Sequence, residues 1–256
     1  MIKAVRAKKF LGQHFLINNE IARDIVALIS DVEKVSILEI GPGMGILTDF
    51  LLEKNQDIAV IEIDKESIEF LRKKIPKLNK KIIEGNFLDI NLNKIFKNNF
   101  TIIGNFPYNI SSQILFKVYE NKKVINELVG MFQKEVAERV AAKKGKKRGI
   151  LSVFIQTFFD VEYCFSVNEN EFSPPPKVKS GIIKLKRNNR KELNCDKKLY
   201  KKIVKTTFNQ RRKTIKNSLK SLNLDFERSI DNLMHLRAEN LSVEDFIYIT
   251  NNAKTI

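Results

Sequence analysis

Four consecutive residues, Asn105-Phe106-Pro107-Tyr108, combine groups that could hold a flat ring bearing an amino group. They follow the apolar run 100–104, which predicts a buried strand, so they lie at a strand's carboxyl end, where open α/β sheets bind ligands. The Asn105 side-chain oxygen and the Pro107 carbonyl can each accept an N–H bond from an exocyclic amine, and the Tyr108 ring can stack on the base. We therefore predict a site for a reaction at an amino nitrogen, with these three residues as the catalytic set.

A glycine-rich loop, Gly41-Pro42-Gly43-Met44-Gly45, follows the strand predicted at 35–40 and precedes a helix. Such glycines allow a ligand to approach the backbone closely at a helix N-terminus. Glu62 ends the next strand, where its carboxylate can accept the hydroxyls of a ribose, as in NAD or S-adenosylmethionine. Glu39 favours S-adenosylmethionine, because its carboxylate would repel a pyrophosphate and attract the ammonium of a methionine tail.

Further candidates have simpler structural alternatives. Asn86 follows the third strand and could meet the cofactor's adenine edge, or could be an ordinary turn residue. Phe172 precedes the prolines at 174–176 and could hold the second face of the target base, although it and Tyr108 could also be core aromatics. Glu39 and Glu62 could be strand-end carboxylates that accept backbone N–H bonds.

The elements that must position these residues alternate between strand and helix patterns up to residue 187. This alternation predicts an α/β, Rossmann-like domain at 1–187, with a mostly parallel sheet covered on both faces. After a charged linker at 187–191 only helical patterns remain, and they predict a small helical domain at 188–256. Its predicted helices are 196–207, 211–221, 225–234 and 242–252.

The positive charge is concentrated in one segment. The chain carries a net +16, and residues 177–220 hold 17 Lys and Arg against 2 Asp and Glu. Solvated helix faces usually mix signs, so this segment favours a nucleic acid partner over a membrane surface or a role in solubility alone. A second basic run, 143–149, predicts an exposed loop in which Lys146, Lys147 and Arg148 contact RNA.

Other features narrow the class of protein. No apolar stretch approaches 18 residues and no apolar segment follows the basic start, so we expect neither a membrane span nor a signal peptide. The isolated Cys164 and Cys195 fit a reducing cytoplasm. The two histidines are far from either cysteine, so no metal site is expected.

Four segments together resemble the ribosomal RNA adenine N6,N6-dimethyltransferase family that modifies small-subunit RNA, and residues 172–180 are similar to its proline segment. The four segments are Leu11–Leu16, Gly41–Gly45, Asn105–Ser111 and Phe208–Thr214. The resemblance implies an S-adenosylmethionine-dependent, Rossmann-like methyltransferase with a small all-helical C-terminal domain. It also implies two methyl transfers to N6 of each of two adjacent adenosines near the 3′ end of 16S rRNA, in an assembling 30S subunit. We expect a cytoplasmic monomer.

Mapped by motif, the resemblance assigns residues to two kinds of contact. The implied cofactor contacts are His14, Leu16, Gly41, Glu62, Asn86 and Asn105, to which the loop adds Gly43. The implied phosphate contacts are Arg211, Arg212 and Lys213. The family commonly has Asn at position 14, Asp at 86 and Leu at 106, and Phe106 adds bulk near the target pocket.

Three other functions remain as alternatives. The antibiotic-resistance branch of the superfamily methylates an adenine of large-subunit RNA, with the same chemistry and fold. A ribosome-assembly or transcription factor could keep the fold and use only its basic face, but intact Gly41, Glu62, Asn105 and Tyr108 argue for activity. A DNA adenine methyltransferase is less favoured, because no separate base-reading domain is visible.

Overall fold

Short, almost continuously apolar runs form the central sheet of the computed structural model, which describes residues 5–55 and 57–255. Ile58–Glu62 is buried along its whole length, the pattern of a parallel strand covered on both faces. By contacts the chain divides into two compact units, the first comprising the chain up to Ala137 with Asp160–Arg187, and the second comprising Glu138–Phe159 with the chain from Asn188.

The first 141 residues contain alternating strands and helices. In chain order these are β1 (Phe15–Leu16), α1 (Asn19–Ala27), β2 (Ser36–Ile40), α2 (Ile46–Lys54), β3 (Ile58–Glu62), α3 (Lys65–Lys74), β4 (Ile82–Glu84), β5 (Phe100–Asn105), α4 (Ser111–Glu120), β6 (Ile125–Gln133) and α5 (Lys134–Ala141). The following elements are α6 (Ile150–Phe158), β7 (Phe159–Val167), β8 (Phe172–Ser173), β9 (Ser180–Arg187), α7 (Lys197–Asn209), α8 (Ile215–Leu219), β10 (Leu224–Phe226), α9 (Asp231–Met234), α10 (Val243–Asn251) and β11 (Ala253–Thr255).

The main sheet confirms the predicted α/β class. Within the described residues it has seven strands in the order β4-β3-β2-β5-β6-β9-β7. Strands β2 to β6 pair in parallel, and β9 runs antiparallel to β6. Because parallel strands end at the same edge, Glu39, Glu62, Glu84 and Asn105 all lie near one carboxyl edge of this sheet.

A two-stranded sheet closes the first unit on another side. Strands β1 and β8 pair antiparallel, with Leu16 opposite Phe172. Both side chains are buried in the same hydrophobic cluster as Ile25, Leu51 and Val60. The chain around the predicted cofactor residue His14 is therefore held by the proline-rich segment that follows β8.

Up to residue 255, where the description of the chain ends, the second unit is helical apart from one short strand pair. The predicted helix at 242–252 is confirmed as α10, which Ser242 and Asp245 cap reciprocally. The helix predicted at 225–234 is wrong in its first half, because β10 pairs with β11 there and only Asp231–Met234 is α-helical. The helix predicted from 211 begins only at Ile215, where the Thr214 side chain accepts a bond from Asn217 N–H.

The segment 138–159 groups with the C-terminal helices rather than with the first unit. The sequence prediction assigned this segment to the domain 1–187, and no helix was predicted at α6. Nearly every residue of α6 is buried. Its sequence is a short, mostly apolar run, which periodicity alone cannot assign to a helix rather than to a buried strand.

Two further observations concern only residues 5–55 and 57–255. No helix in this part of the chain is both long and apolar enough to cross a membrane. No group of three or more His, Cys, Asp or Glu side chains is arranged there to hold a metal ion.

Candidate active site

A cavity opens at the carboxyl edge of the sheet in the first unit. Its walls come from the N-terminal segment, the glycine loop, the ends of β3 and β5, and the turns that follow β4 and β5. Predicted site residues along it are His14, Gly41, Gly43, Glu62, Asn86, Asn105, Pro107 and Tyr108. Residues separated by up to 94 positions in sequence thus meet in one place.

The glycine loop needs its glycines for conformation and for space. Gly41 and Gly43 have φ values of +65° and +55°, in the left-handed region that favours glycine. A Cβ on Gly43 would lie 2.8 Å from the Phe15 ring. A Cβ on Gly41 would meet no protein atom within 4 Å, so Gly41 borders open space in the cavity, where a ligand can approach the backbone.

Glu62 is fixed at the end of β3 by backbone donors. Its Oε1 accepts N–H bonds from Ile63 at 2.8 Å and Asp64 at 2.9 Å, and its Oε2 accepts from Gly43 at 3.1 Å. Burial raises the pKa of Glu62, and these bonds oppose the rise. Since a carboxylate has about four acceptor positions, one ribose hydroxyl can be accepted here without a change in the loop.

Glu39 lies behind the glycine loop rather than among the side chains that line the cavity. It is 1% exposed, and its Oε2 accepts a 2.6 Å bond from the Thr48 hydroxyl of α2. Burial raises its pKa to about 8. The free protein therefore keeps Glu39 mainly protonated at neutral pH, and a nearby ligand cation would favour its ionised form.

Asn86 borders the cavity, and both polar atoms of its side chain are engaged locally. Its Oδ1 accepts a 3.1 Å bond from Leu88 N–H, which caps the short turn Phe87–Asp89. Its Nδ2 donates to Asp89 at 3.0 Å. The side chain thus shapes the turn beside the cavity, which is the structural alternative considered from the sequence.

The Asn105 amide has a defined orientation at the end of β5. Its Nδ2 donates a 2.8 Å hydrogen bond to the His14 carbonyl. The His14 ring in turn contacts the Pro174 carbonyl through Nδ1 at 2.8 Å and stacks on Tyr108 with ring centroids 5.7 Å apart. This donated bond fixes the orientation of the amide, whose only acceptor is Oδ1, the atom that can accept a bond from an incoming amine.

The two remaining residues of the motif form the adjacent wall. The Pro107 carbonyl accepts bonds from Ile110 N–H at 3.2 Å and from the Ser111 hydroxyl at 3.4 Å. A hydroxyl can rotate its hydrogen away, so an incoming amine can replace the long Ser111 bond. The Tyr108 hydroxyl lies 2.5 Å from Ser180 Oγ, and burial raises the pKa of the phenol, which keeps it neutral.

Phe106 directs its ring into the core rather than into the target pocket. The side chain is 1% exposed and packs against Phe132 with ring centroids 4.9 Å apart. The ring occupies space over two glycines, since a Cβ would lie 2.7 Å from it at Gly104 and 2.3 Å at Gly130. Phe106 borders the cavity, near the target pocket as predicted, but these two glycines accommodate most of the bulk of its ring in the core.

Besides Glu39, two predicted site residues, Phe172 and Leu16, do not line the cavity. Phe172 is 3% exposed, because its strand pairs with β1 and its ring faces the hydrophobic core. The structure thus contradicts its assignment as the second stacking face. Leu16, on the opposite strand, is 4% exposed and in the same core, so its side chain offers no surface to a cofactor.

Sequence reasoning missed the anchoring of the N-terminal wall. Asp64 accepts bonds from Lys8 Nζ and, at 3.2 Å, from Gln13 Nε2. These bonds hold the segment whose His14 carbonyl orients Asn105, and they lower the pKa of Asp64 against the effect of its burial. Phe10 and Ile63 also border the cavity while 78% and 51% exposed, a placement that no periodic pattern could have indicated.

The predicted RNA-binding residues lie in the second unit and fall into two groups. Lys146, Lys147, Arg212 and Lys213 are exposed. Arg148 is 1% exposed and donates to the Ala142 carbonyl and Gln156, so its predicted contact with RNA is wrong in this structure. Arg211 is also exposed, but its guanidinium is paired with Glu239, and the exposed Lys147 is paired with Glu138.

A family model and two curated relatives match the chain over nearly its whole length. A family model described as Ribosomal RNA adenine dimethylase matches residues 4–255. A Bacteroides thetaiotaomicron protein named ribosomal RNA small subunit methyltransferase A is 52% identical, with 99% of this chain and 96% of that protein covered. A Cytophaga hutchinsonii protein of the same name is 53% identical, with 98% of each chain covered.

Solved structures share the fold. A dimethyladenosine transferase from Plasmodium falciparum superposes with a TM-score of 0.78 at 26% identity, over 92% of this chain and 96% of the other. The 23S rRNA methyltransferase ErmE gives a TM-score of 0.72 at 22% identity, over 92% and 99% of the two chains. The chain belongs to the ribosomal RNA adenine dimethylase family and is an S-adenosylmethionine-dependent rRNA methyltransferase.

Proposed function

We propose that the protein methylates N6 of two adjacent adenosines near the 3′ end of small-subunit rRNA, twice each, within an assembling small subunit. The observation that carries the proposal is the Asn105 amide, whose nitrogen is bound to the His14 carbonyl so that its oxygen can accept from an amine. The curated relatives at 52–53% identity are named for small-subunit rRNA, and this supports the choice of substrate.

The cavity residues fit an adenosyl cofactor with an amino acid tail. Gly41 leaves open space beside the loop, and Glu62 offers an acceptor position for a ribose hydroxyl. The buried carboxyl of Glu39 lies behind the loop, where ionisation would favour a nearby ammonium. The turn capped by Asn86 would border the adenine ring.

S-adenosylmethionine supplies a methyl group already activated by its sulfonium, so the protein's task is to position and polarise the acceptor amine. In an adenine the amino lone pair is delocalised into the ring. Asn105 Oδ1 and the Pro107 carbonyl would accept its two N–H bonds and favour a more pyramidal nitrogen. Tyr108 would stack on the base and restrict its orientation.

The target base must leave its stack to reach such a wall. RNA binding would come from phosphate contacts, which position an enzyme without reading sequence. Lys146, Lys147, Arg212 and Lys213 are exposed residues of the second unit and suit this role. We place the protein in the cytoplasm as a monomer, in keeping with its isolated cysteines and its assembling substrate.

The experiment compares two RNA substrates. Labelled methyl transfer from S-adenosylmethionine would be measured on undermethylated small subunits and on protein-free large-subunit rRNA, and the digested nucleosides identified by mass spectrometry. The proposal predicts N6,N6-dimethyladenosine in the small-subunit sample alone. Label in the large-subunit RNA would instead assign the protein to the resistance branch, and label in neither would refute the proposed reaction.

A further inference from the structure

The second unit carries an exposed loop of like charges whose shape has to be maintained against repulsion. Lys143, Lys144, Lys146 and Lys147 are all exposed in the segment 143–147, here called the lysine loop. Like charges at such spacing repel, and ordering each residue of a free loop costs about 1–2 kcal/mol. Contacts outside the loop must therefore define its conformation.

Glu239 contacts the apex of the lysine loop through its backbone. Its carbonyl accepts a 2.9 Å bond from Gly145 N–H, and Gly145 has a φ of +86°, which turns the chain. The Glu239 side chain is 15% exposed, so its carboxylate is largely shielded from water. A shielded carboxylate holds a cationic partner more firmly than an exposed one does.

That partner is Arg211, which connects the carboxylate to the loop. Arg211 Nη2 donates to Glu239 Oε2 at 2.7 Å, and Nε donates to the same oxygen at 3.2 Å. The same Nη2 also donates to the Lys146 carbonyl at 2.7 Å. The sequence resemblance assigned Arg211 to phosphate, whereas its hydrogen bonds here are directed at the protein.

The other end of the lysine loop is held from inside the unit. Arg148 N–H donates to the Gly145 carbonyl at 2.9 Å, and its buried guanidinium donates to the Ala142 carbonyl at 2.7 Å. Gln156 accepts from that guanidinium at 2.5 Å and donates to the Ala142 carbonyl at 3.0 Å. The C-terminal end of the loop is therefore fixed independently of Glu239, and Lys147 is also paired with Glu138 at 2.6 Å. Gly145 is held by the backbone carbonyl of Glu239, whereas the Lys146 carbonyl is held by Arg211, which the Glu239 carboxylate positions.

We propose that Glu239 is a positioning residue for RNA binding, whose carboxylate holds Arg211 on the Lys146 carbonyl and so keeps the lysine loop in the shape that meets phosphates. This inference rests on the proposed rRNA substrate. It has an unusual consequence, because an acidic residue would strengthen binding to a polyanion. If net charge alone decided the affinity, removal of the negative charge of Glu239 would strengthen RNA binding.

The test uses two variants with the same change in charge. Glu239→Ala removes the carboxylate of the pair, and Glu244→Ala removes a 69% exposed carboxylate of the same unit, whose partner is Arg190. Both full-length proteins would be titrated with a 3′-terminal fragment of small-subunit rRNA over a range of salt concentrations. Limited trypsin digestion, with cleavage sites identified by mass spectrometry, would report the order of the lysine loop.

For Glu239→Ala we expect faster cleavage after Lys143 to Lys147 and an RNA affinity lower by about fivefold to tenfold, with a shallower salt dependence. KM for rRNA should rise while kcat and cofactor affinity stay unchanged. Glu244→Ala should show wild-type cleavage and equal or slightly tighter RNA binding. Glu239→Gln, which keeps the side-chain volume, would replace the alanine variant if that variant did not fold.

Two results would overturn the inference. One is unchanged cleavage of the lysine loop in Glu239→Ala, and the other is faster cleavage without loss of RNA affinity. Both leave the proposed reaction intact if the wild type methylates small-subunit rRNA. A wild type that neither binds nor methylates this RNA would refute the proposed function itself, whichever variant is compared.

Discussion

The buried carboxyl of Glu39 makes the stability of the protein depend on pH in a way that one substitution should remove. Burial raises its pKa from 4.5 to about 8 in the folded protein, and the Thr48 hydrogen bond only partly opposes this. Between these values the folded state retains a proton that the unfolded state has lost. The contribution of Glu39 to the free energy of unfolding is therefore greatest below pH 4.5 and decreases as the pH rises towards 8.

The size of the effect follows from the interval between the two pKa values. Each pH unit corresponds to about 1.4 kcal/mol, so the free energy of unfolding should fall by about 3 to 4 kcal/mol between pH 5 and pH 8 because of Glu39 alone. Glu39→Gln is neutral at every pH, and its amide oxygen can still accept from Thr48. Relative to the wild type, the free energy of unfolding of this variant should therefore rise by about 3 to 4 kcal/mol between pH 5 and pH 8.

Urea unfolding of both proteins at pH 5, 6.5 and 8, followed by circular dichroism, measures the difference directly. Glu53→Gln is the matched control, because Glu53 is an exposed carboxylate of the adjacent helix α2. Its stability relative to the wild type should change by less than about 0.5 kcal/mol over this range. The reasoning would be refuted if Glu39→Gln and the wild type lost stability in parallel as pH rises.

Three further predictions concern the walls of the cavity and the core beside it. Tyr108→Ala should lower kcat/KM for rRNA by about 10-fold to 100-fold through loss of stacking, whereas Tyr108→Phe, which loses only the bond to Ser180, should stay within about threefold. Gly130→Ala should destabilise the protein by about 2 kcal/mol through contact with the Phe106 ring, and urea unfolding should show that adding Phe106→Leu recovers part of the loss. Gly41→Ala should weaken S-adenosylmethionine binding by at least about tenfold in calorimetry. The new Cβ would enter the space left for a ligand, and alanine is strained at the positive φ of this position. Unchanged affinity would contradict the proposal that the glycine loop borders the cofactor.

Much of the fold could be predicted because its signals are local. Strand β3 is an apolar run that ends at Glu62, and the glycine loop separates strand β2 from helix α2 as expected. Helix α6 was not predicted because its short, mostly apolar sequence could equally form a buried strand. Strand β10 was mistaken for part of a helix because its partner, β11, lies 29 residues further along the chain.

In the candidate site, too, local features could be predicted from the sequence, whereas contacts between distant residues could not. The strand-end position of Asn105 was predictable from the apolar run before it, but the direction of its amide depends on the His14 carbonyl, 91 residues away in sequence. Phe172 could not be distinguished from a base-stacking residue without the strand pairing that buries it. Arg148 looked like its neighbours in the basic run, and only the packing of Gln156 shows that it is buried.

The central proposal is that the Asn105 oxygen polarises the acceptor amine, and that the cofactor contact which the resemblance implies for Asn105 adds little to cofactor affinity. Its most direct test is a single-turnover comparison of Asn105→Ala with the wild type on small-subunit rRNA, alongside calorimetric titration with S-adenosylmethionine. We predict that the variant binds the cofactor within about fivefold of the wild type and transfers methyl at least about 100-fold more slowly. Near-normal transfer by Asn105→Ala would contradict the account.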